Sequence, residues 1–334
     1  MILHTNGLEP SDGVRCNVVG TDAVTTLATV GECALVYLDP PFGSGKSFHF
    51  GLGGGRDGAV AYEDPPFGPE ASLRDAAALA RSASAAVTDR GVVVVQVDAN
   101  RSAHFRVAFD EVLGPQSFRG ELIVRSGSRD ARPRPDRHGG LTPTHNSLLL
   151  FSRARLPSSP LPLYRSEHCQ GERPLVGVGF IDTLWCDLEV RGRETGYPTE
   201  KSRDFAERLV TWLTREGDHV VEPFGGSATL SCLALDHGCR VTVGDLSARA
   251  RGIAASRLLP VVLDGALAGR FDLDVEVAGP TARTDEEVRL VLDLDKATGR
   301  VGRSVQADMS APSGTSPRLA IYHDGRCAVE ARTR

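Results

Sequence analysis

The stretch Glu32 to Ser47, ECALVYLDPPFGSGKS, sets the fold. Its first seven residues are apolar almost throughout, the pattern of a strand buried on both faces, and such strands belong to parallel sheets covered by helices. Asp39 ends the strand. In an open α/β sheet ligands bind beyond the carboxyl ends of the strands, so a rigid proline turn there aims Asp39 and the aromatic Phe42 at a site. Two features compete with this reading: the tail ends like a nucleotide-binding loop, and the tetrapeptide returns at Asp64-Pro65-Pro66-Phe67.

Working outward, the text is α/β. A helical run, ASLRDAAALARSASAAVTDRG, is expected to stop at Gly91 and lead into VVVVQVD, a second buried strand. ELIVR and SLLLFS read as strands separated by a long segment rich in Gly, Pro and Arg. A helix is expected from Ser202 to Arg215 with Phe205, Leu209, Val210 and Leu213 on one face. Then come the strand HVVEPF, a glycine turn, a helix stopping at Gly238, the strand RVTVGD and a helix after Ser247, which together predict a parallel βαβ unit. Beyond about residue 264 alternating strands, FDLDVEV, EVRLVLDLD, RLAIYH and CAVEAR, suggest a small β-rich appendage, with Asp324-Gly325 as a hairpin turn. The division expected is a catalytic domain over 1–262 and a β-rich domain over 263–334.

Composition bounds the function. With 43 acidic and 38 basic residues the chain is not a globally basic nucleic-acid binder. Its seven scattered cysteines form no C-x-x-C pair, and Asp293 and Asp295 lack the other ligands of a calcium loop, so no metal site is expected. No apolar run reaches the roughly 18 residues of a membrane span, and the first residues lack a signal-peptide layout, so a cytoplasmic protein is expected. Gly45-Lys46-Ser47 fails as a phosphate loop, because Pro40 stands where glycine is required and no helix follows. Gly53-x-Gly55-x-x-Gly58 has no strand before it. The second tetrapeptide follows GRDGAVAYE, which is no buried strand, so Asp64 is assigned to turn structure.

What remains is chemistry for an amino-bearing heterocycle. The exocyclic nitrogen of adenine or cytosine is a poor nucleophile because its lone pair is delocalised. Hydrogen bonds from its N–H groups to the Asp39 carboxylate and the Pro40 carbonyl would localise that pair, Pro41 stiffens the turn, and Phe42 offers a stacking face. Glu222-Pro223-Phe224-Gly225-Gly226-Ser227-Ala228-Thr229 also follows a buried strand and opens a helix, and Asp245 ends the next strand, the layout of a nucleotide-type cofactor site.

In this combination the chain resembles the SAM-dependent DNA amino-methyltransferases of the permuted β class, in which the catalytic tetrapeptide precedes the cofactor loop. VYLDPPFGSGKSF resembles the catalytic segment, TGYPTEKSRDFAERLV and GDHVVEPFGGSATL the cofactor motifs, and FDEVLGPQSFRGELIVR, THNSLLLFSR and TLWCDL the connecting segments. The likeness covers roughly residues 14 to 259. It implies a Rossmann-like, seven-stranded, mostly parallel α/β sheet and S-adenosyl-L-methionine (SAM) as cofactor. Glu222, Phe224, Gly226, Ser227 and Thr229 would surround its methionine and ribose parts, with Asp245 on the ribose and Asp22 near the adenine. Tyr197, Pro198, Thr199 and Lys201 match the segment that helps hold the methionyl carboxylate, although Thr199 and Lys201 also suit a cap on the following helix. Family members usually carry Asp at position 222, Gly at 228, Tyr at 42 and Pro at 202.

The resemblance makes double-stranded DNA the substrate, its target base flipped against Phe42, with adenine N6 favoured over cytosine N4 because Asp stands first in the tetrapeptide. Over 125–145 lies a local basic stretch with Arg125, Arg129, Arg132, Arg134 and Arg137, suited to phosphates. The segment over 154–190, where relatives hold much of their recognition domain, is short, so either the target sequence is short or the β-rich domain, a second copy or a partner subunit supplies further contacts. Two alternatives stay open: a methyltransferase-like DNA-binding subunit with weakened SAM affinity, and an RNA substrate.

Overall fold

The computed structural model describes residues 2–6, 16–50, 60–64, 66, 69–126, 144–158, 161–164, 175–179, 182–189, 192, 194–267, 272–276, 318–323 and 326–332. The chain opens with β1 (Ile2–Asn6), β2 (Cys16–Val19), α1 (Ala23–Thr29) and β3 (Cys33–Leu38). A ribbon of β4 (Lys46–His49) and β5 (Val60–Asp64) precedes α2 (Pro69–Ala86), β6 (Val87–Asp98), α3 (Ser102–Leu113), β7 (Phe118–Arg125) and β8 (His145–Phe151). Next come β9 (Leu161–Tyr164), β10 (Leu175–Gly179), β11 (Leu184–Glu189), α4 (Arg203–Leu213), β12 (His219–Glu222), α5 (Thr229–Asp236) and β13 (Arg240–Gly244). The last elements are α6 (Ala248–Leu267), β14 (Asp272–Glu276), β15 (Arg318–His323) and β16 (Arg326–Arg332).

Ten strands form one sheet in the order β11-β7-β8-β6-β3-β12-β13-β2-β1-β14. The seven contiguous strands from β7 to β2 form the expected α/β sheet, and the other three extend it at both ends. β6, β3, β12, β13 and β2 run parallel to one another, whereas β8 runs antiparallel to both β6 and β7.

The two central apolar strands explain why helices cover both faces. Along β3, Leu35 and Tyr37 enter the cluster that includes Phe205 and Leu209 of α4, while Val36 and Leu38 enter the opposite cluster with Ala80 of α2 and Phe109 of α3. β6 divides the same way, Val92 and Val94 against Val93 and Val95. α4 matches its sequence pattern: Ser202 caps it by accepting from the Phe205 amide, and Phe205, Leu209, Val210 and Leu213 are all buried. The cap is therefore neither Thr199 nor Lys201.

Two expectations change. Gly91 does not end a helix; β6 already begins at Val87, and the pairing with β3 is irregular between Cys33 and Leu35. A side chain at Gly91 would collide with that of Val87 and lie 2.8 Å from the Cys33 carbonyl oxygen, so close approach of the strands is what requires glycine. Asp64 ends a strand after all, the second strand of the β4–β5 ribbon, with Ala61 and Asp64 itself buried. At the C-terminal side, α6 runs through residue 263, and β14 pairs with β1 as part of the large sheet. The segments EVRLVLDLD and Gly53 to Gly58 and the turn Asp324-Gly325 lie outside the described residues.

Gly91→Ala is expected to lower the unfolding free energy by about 1–3 kcal/mol through overpacking. Urea denaturation would show this as a lower midpoint, and an unchanged midpoint would refute the close-approach argument.

Candidate active site

A cavity of about 590 Å³ opens at the carboxyl ends of the central strands. Because β3 and β12 are adjacent and parallel, the acids that follow or end them, Asp39 and Glu222, reach the same space. Asp245, one residue beyond β13, and Asp98, the last residue of β6, join them from either side. Among the described residues, the charged side chains lining the cavity are Asp22, Asp39, Glu63, Asp64, Asp98, Glu222 and Asp245 against Lys46 and Lys201. The interior is acidic.

Asp39 does not stand alone. Its Oδ2 accepts a hydrogen bond from Lys201 Nζ, an ion pair whose side chains are only 19% and 10% exposed. Lys201 also donates to the Thr199 carbonyl at 3.3 Å. The ammonium thus joins the segment around Thr199 to the tetrapeptide acid. Thr199 adopts φ 62°, uncommon for a β-branched residue, and its hydroxyl lies 3.2 Å from that of Tyr62. The neighbouring Glu200 is buried, accepts from the amides of Glu194 and Thr195 and pairs with Arg257 at 2.8 Å, tying this turn to α6.

Glu222 is buried to 3% exposure and its Oε2 accepts from the Ser231 hydroxyl at 2.6 Å and the Ser231 amide at 3.2 Å. The extra methylene relative to Asp lets it reach the first turn of α5. Burial pushes its pKa up to about 7, opposed by the Ser231 bonds and the nearby Lys201. Asp245 accepts from the amides of Gly226 at 2.9 Å and Ser247 at 2.8 Å, and burial raises its pKa as well. Ala228 holds φ 53°, ψ 34° at the start of α5, a left-handed conformation costing an L-residue roughly 1–2 kcal/mol, with its methyl fully buried. That strain is the physical reason glycine suits the position.

Phe224, Gly226 and Ser227 line the cavity, and Thr229 does not. Its hydroxyl is 2.8 Å from Arg257 Nη1 and 3.1 Å from the Ser227 hydroxyl, where it braces the loop. Asp22 lies at the rim and caps α1, accepting from the Thr25 amide and hydroxyl at 2.9 and 2.7 Å, bonds that lower its pKa. Pro40 is buried, Pro41 exposed and Phe42 half-buried on the cavity wall. Arg125 is the last residue of β7; Arg129, Arg132, Arg134 and Arg137 lie outside the described residues.

Several lining residues escaped the sequence reading. Phe48 and Tyr62 stack across the β4–β5 ribbon with ring centroids 4.7 Å apart, and Tyr62 lies 6.3 Å from Tyr197. Asp98 carries a buried Oδ1 without a hydrogen-bond partner and a pKa raised by burial. It ends a buried strand just as Asp39 follows one, which was the available signal. Asn146 faces Asp98 in register, and Ser126, His145 and Asn146 reach the same cavity.

A family model described as DNA methylase matches residues 33–246. The chain belongs to that family. The matched stretch holds Asp39, Lys201, Glu222 and Asp245, and the DNA methylase is a SAM-dependent methyltransferase acting on adenine N6 or cytosine N4, as the resemblance implied. Among solved structures, the cytosine-N4-specific PvuII DNA methyltransferase is similar over 72% of this chain and 86% of its own, at 15% identity and a TM-score of 0.51. M1.HpyAVI, solved as a complex with SAM, is similar over 73% and 98%, at 15% identity and a TM-score of 0.47. At this identity the PvuII likeness speaks to the fold alone. No curated protein matches the chain significantly in sequence.

The raised acid makes a pH signature. Between pH 4.5 and about 7 the folded methylase keeps a proton on Glu222 that the unfolded chain has released, so stability falls as pH rises across that window and levels off above it. Glu222→Gln is expected to remove this component, worth at most about 3 kcal/mol. Urea midpoints at pH 5, 6, 7 and 8 should therefore converge toward and then favour the variant, whereas parallel profiles would contradict the assignment.

Proposed function

We propose that the protein methylates the N6 amino group of adenine in double-stranded DNA, with the target base turned out of the duplex into the acidic cavity. The observation that carries this reading is the meeting, in one cavity, of a proline-stiffened Asp39–Phe42 turn with the Glu222 and Asp245 walls of the two strands on the other side of β3.

The lining fits the cofactor of the family. Seven acids against two lysines suit a ligand with a sulfonium and an ammonium, and would repel a nucleoside triphosphate. Glu222, Asp245, Gly226, Ser227, Phe224, Thr199 and Asp22 would hold it. When bound, SAM supplies a methyl group made electrophilic by its sulfonium.

The protein's own part is positional. A carboxylate has about four acceptor sites, so Asp39 can keep Lys201 on Oδ2 and still accept an amino N–H. The Pro40 carbonyl takes the second N–H, which draws the nitrogen lone pair out of conjugation, and Phe42 supplies the stacking face. Lys201 pairs with Asp39 where the two side chains are only 10% and 19% exposed, and so fixes the carboxylate at the head of the turn. Adenine over cytosine rests on Asp at the head of the tetrapeptide.

DNA phosphates are assigned to the basic segment. It leaves the sheet after Arg125 and returns at Thr144, where the Ser126 amide bonds the Thr144 carbonyl at 2.9 Å, so both of its ends flank the cavity. Each arginine lost from Arg129, Arg132, Arg134 or Arg137 that contacts a phosphate is expected to reduce the salt slope of DNA binding by about 1.

Purified protein is to be incubated with tritiated SAM and genomic DNA lacking amino-methylation, and the DNA digested to nucleosides. Label is expected in N6-methyladenine; label in N4-methylcytosine would move the assignment to the other base, and none despite SAM binding would sink it. Asp39→Asn should cut transfer by about 100-fold or more while SAM affinity stays within a few fold. Lys201→Met leaves Asp39 unpaired and should also slow transfer.

A further inference from the structure

We propose that the second copy of the tetrapeptide positions the first: Asp64 is the anchor that fixes the loop after Phe42, and through it the face on which the target base stacks. This rests on the assignment of Asp39 to Phe42 as the base-holding segment.

The two Asp64 carboxylate oxygens accept from consecutive backbone amides, Oδ1 from Gly43 at 2.5 Å and Oδ2 from Ser44 at 2.8 Å. The Asp64 carbonyl accepts from the next amide, Gly45, at 2.8 Å. Gly43 and Gly45 hold φ 66° and 68°, the left-handed conformation that lets successive N–H groups converge on one acceptor. Asp64 is only 2% exposed, and the β4–β5 register sets it opposite Lys46, so the ribbon delivers the carboxylate to the loop.

This geometry accounts for the decoy in the sequence. GSGKS resembles a phosphate loop because its amides do form an anion nest, but the anion is the protein's own. Phe42 then sits between two fixed points. Pro40 and Pro41 hold its N-terminal side, and the nest holds its C-terminal side, so its ring is placed with neither helix nor strand around it.

Asp64→Asn is nearly isosteric but sets an NH2 group against a backbone N–H in place of an acceptor. Amide exchange at Gly43 and Ser44 should rise about 10-fold in the free protein. Single-turnover methylation should fall on the order of 10- to 100-fold, with the dissociation constant for tritiated SAM unchanged within twofold. In a cycle with Phe42→Ala the two losses should be strongly non-additive, because Asp64 acts through Phe42. Additive losses, unchanged exchange, or a parallel loss of SAM affinity and melting temperature would overturn the proposal. If the wild-type protein itself transfers no label, the functional reading has failed and exchange at Gly43 and Ser44 alone decides the anchor.

Discussion

The site depends on one pairing: β3 lies parallel and next to β12, with Leu35 opposite Val220 and Val36 opposite Val221. The partners are separated by 185 positions in the chain. No local interaction brings Asp39 beside Glu222; only burial of two apolar strands in the middle of the sheet does so, and burial fixes their register because a one-residue slip would exchange the two core faces. Leu35 and Val36 already belong to different clusters, so such a slip would disturb both at once.

That pairing imposes an electrostatic cost. Glu222 is buried among acids, with Asp39 raising its pKa and Lys201 lowering it, while Lys201 is bonded to Asp39. One ammonium therefore serves two carboxyls. Burial is the chief reason Glu222 holds its proton, and that proton limits the deficit of positive charge in the cavity. A cationic ligand placed against Glu222 and Asp245 would remove the need for that proton, so the same deficit that weakens the folded state favours the cofactor's charge. Stability and affinity are here opposite faces of one arrangement of acids.

What was legible in the sequence follows from periodicity. ECALVYL, VVVVQVD and the amphipathic run from Phe205 to Leu213 are patterns written in consecutive residues, and the sheet and helices followed from them. Asp39, Glu222 and Asp245 were legible because strand ends announce themselves. The Lys201–Asp39 pair was not, since it joins residues 162 positions apart and no pattern in either segment names the other. Asp64 was misassigned for a related reason: its strand lies in a two-stranded ribbon outside the large sheet, and what gives it a role is a loop 20 residues earlier. Gly91 misled because glycine ends helices and also permits close strands, and only the Cys33 carbonyl tells which applies.

Under the proposed function, two charge environments of the protein would divide the substrate between them. An acid-lined cavity is hostile to phosphate and admits a cation and a neutral heterocycle. The arginines of the segment joining β7 to β8 are suited to the opposite task, and that segment begins and ends at the cavity, where Ser126 meets Thr144. On the proposed function, a duplex held by its phosphates at this rim would place only an unpaired base inside, because the backbone would be kept out by the same acids that favour the methyl donor. Discrimination between backbone and base would then need no contact specific to sequence. It would follow from which side of the rim each charge can occupy.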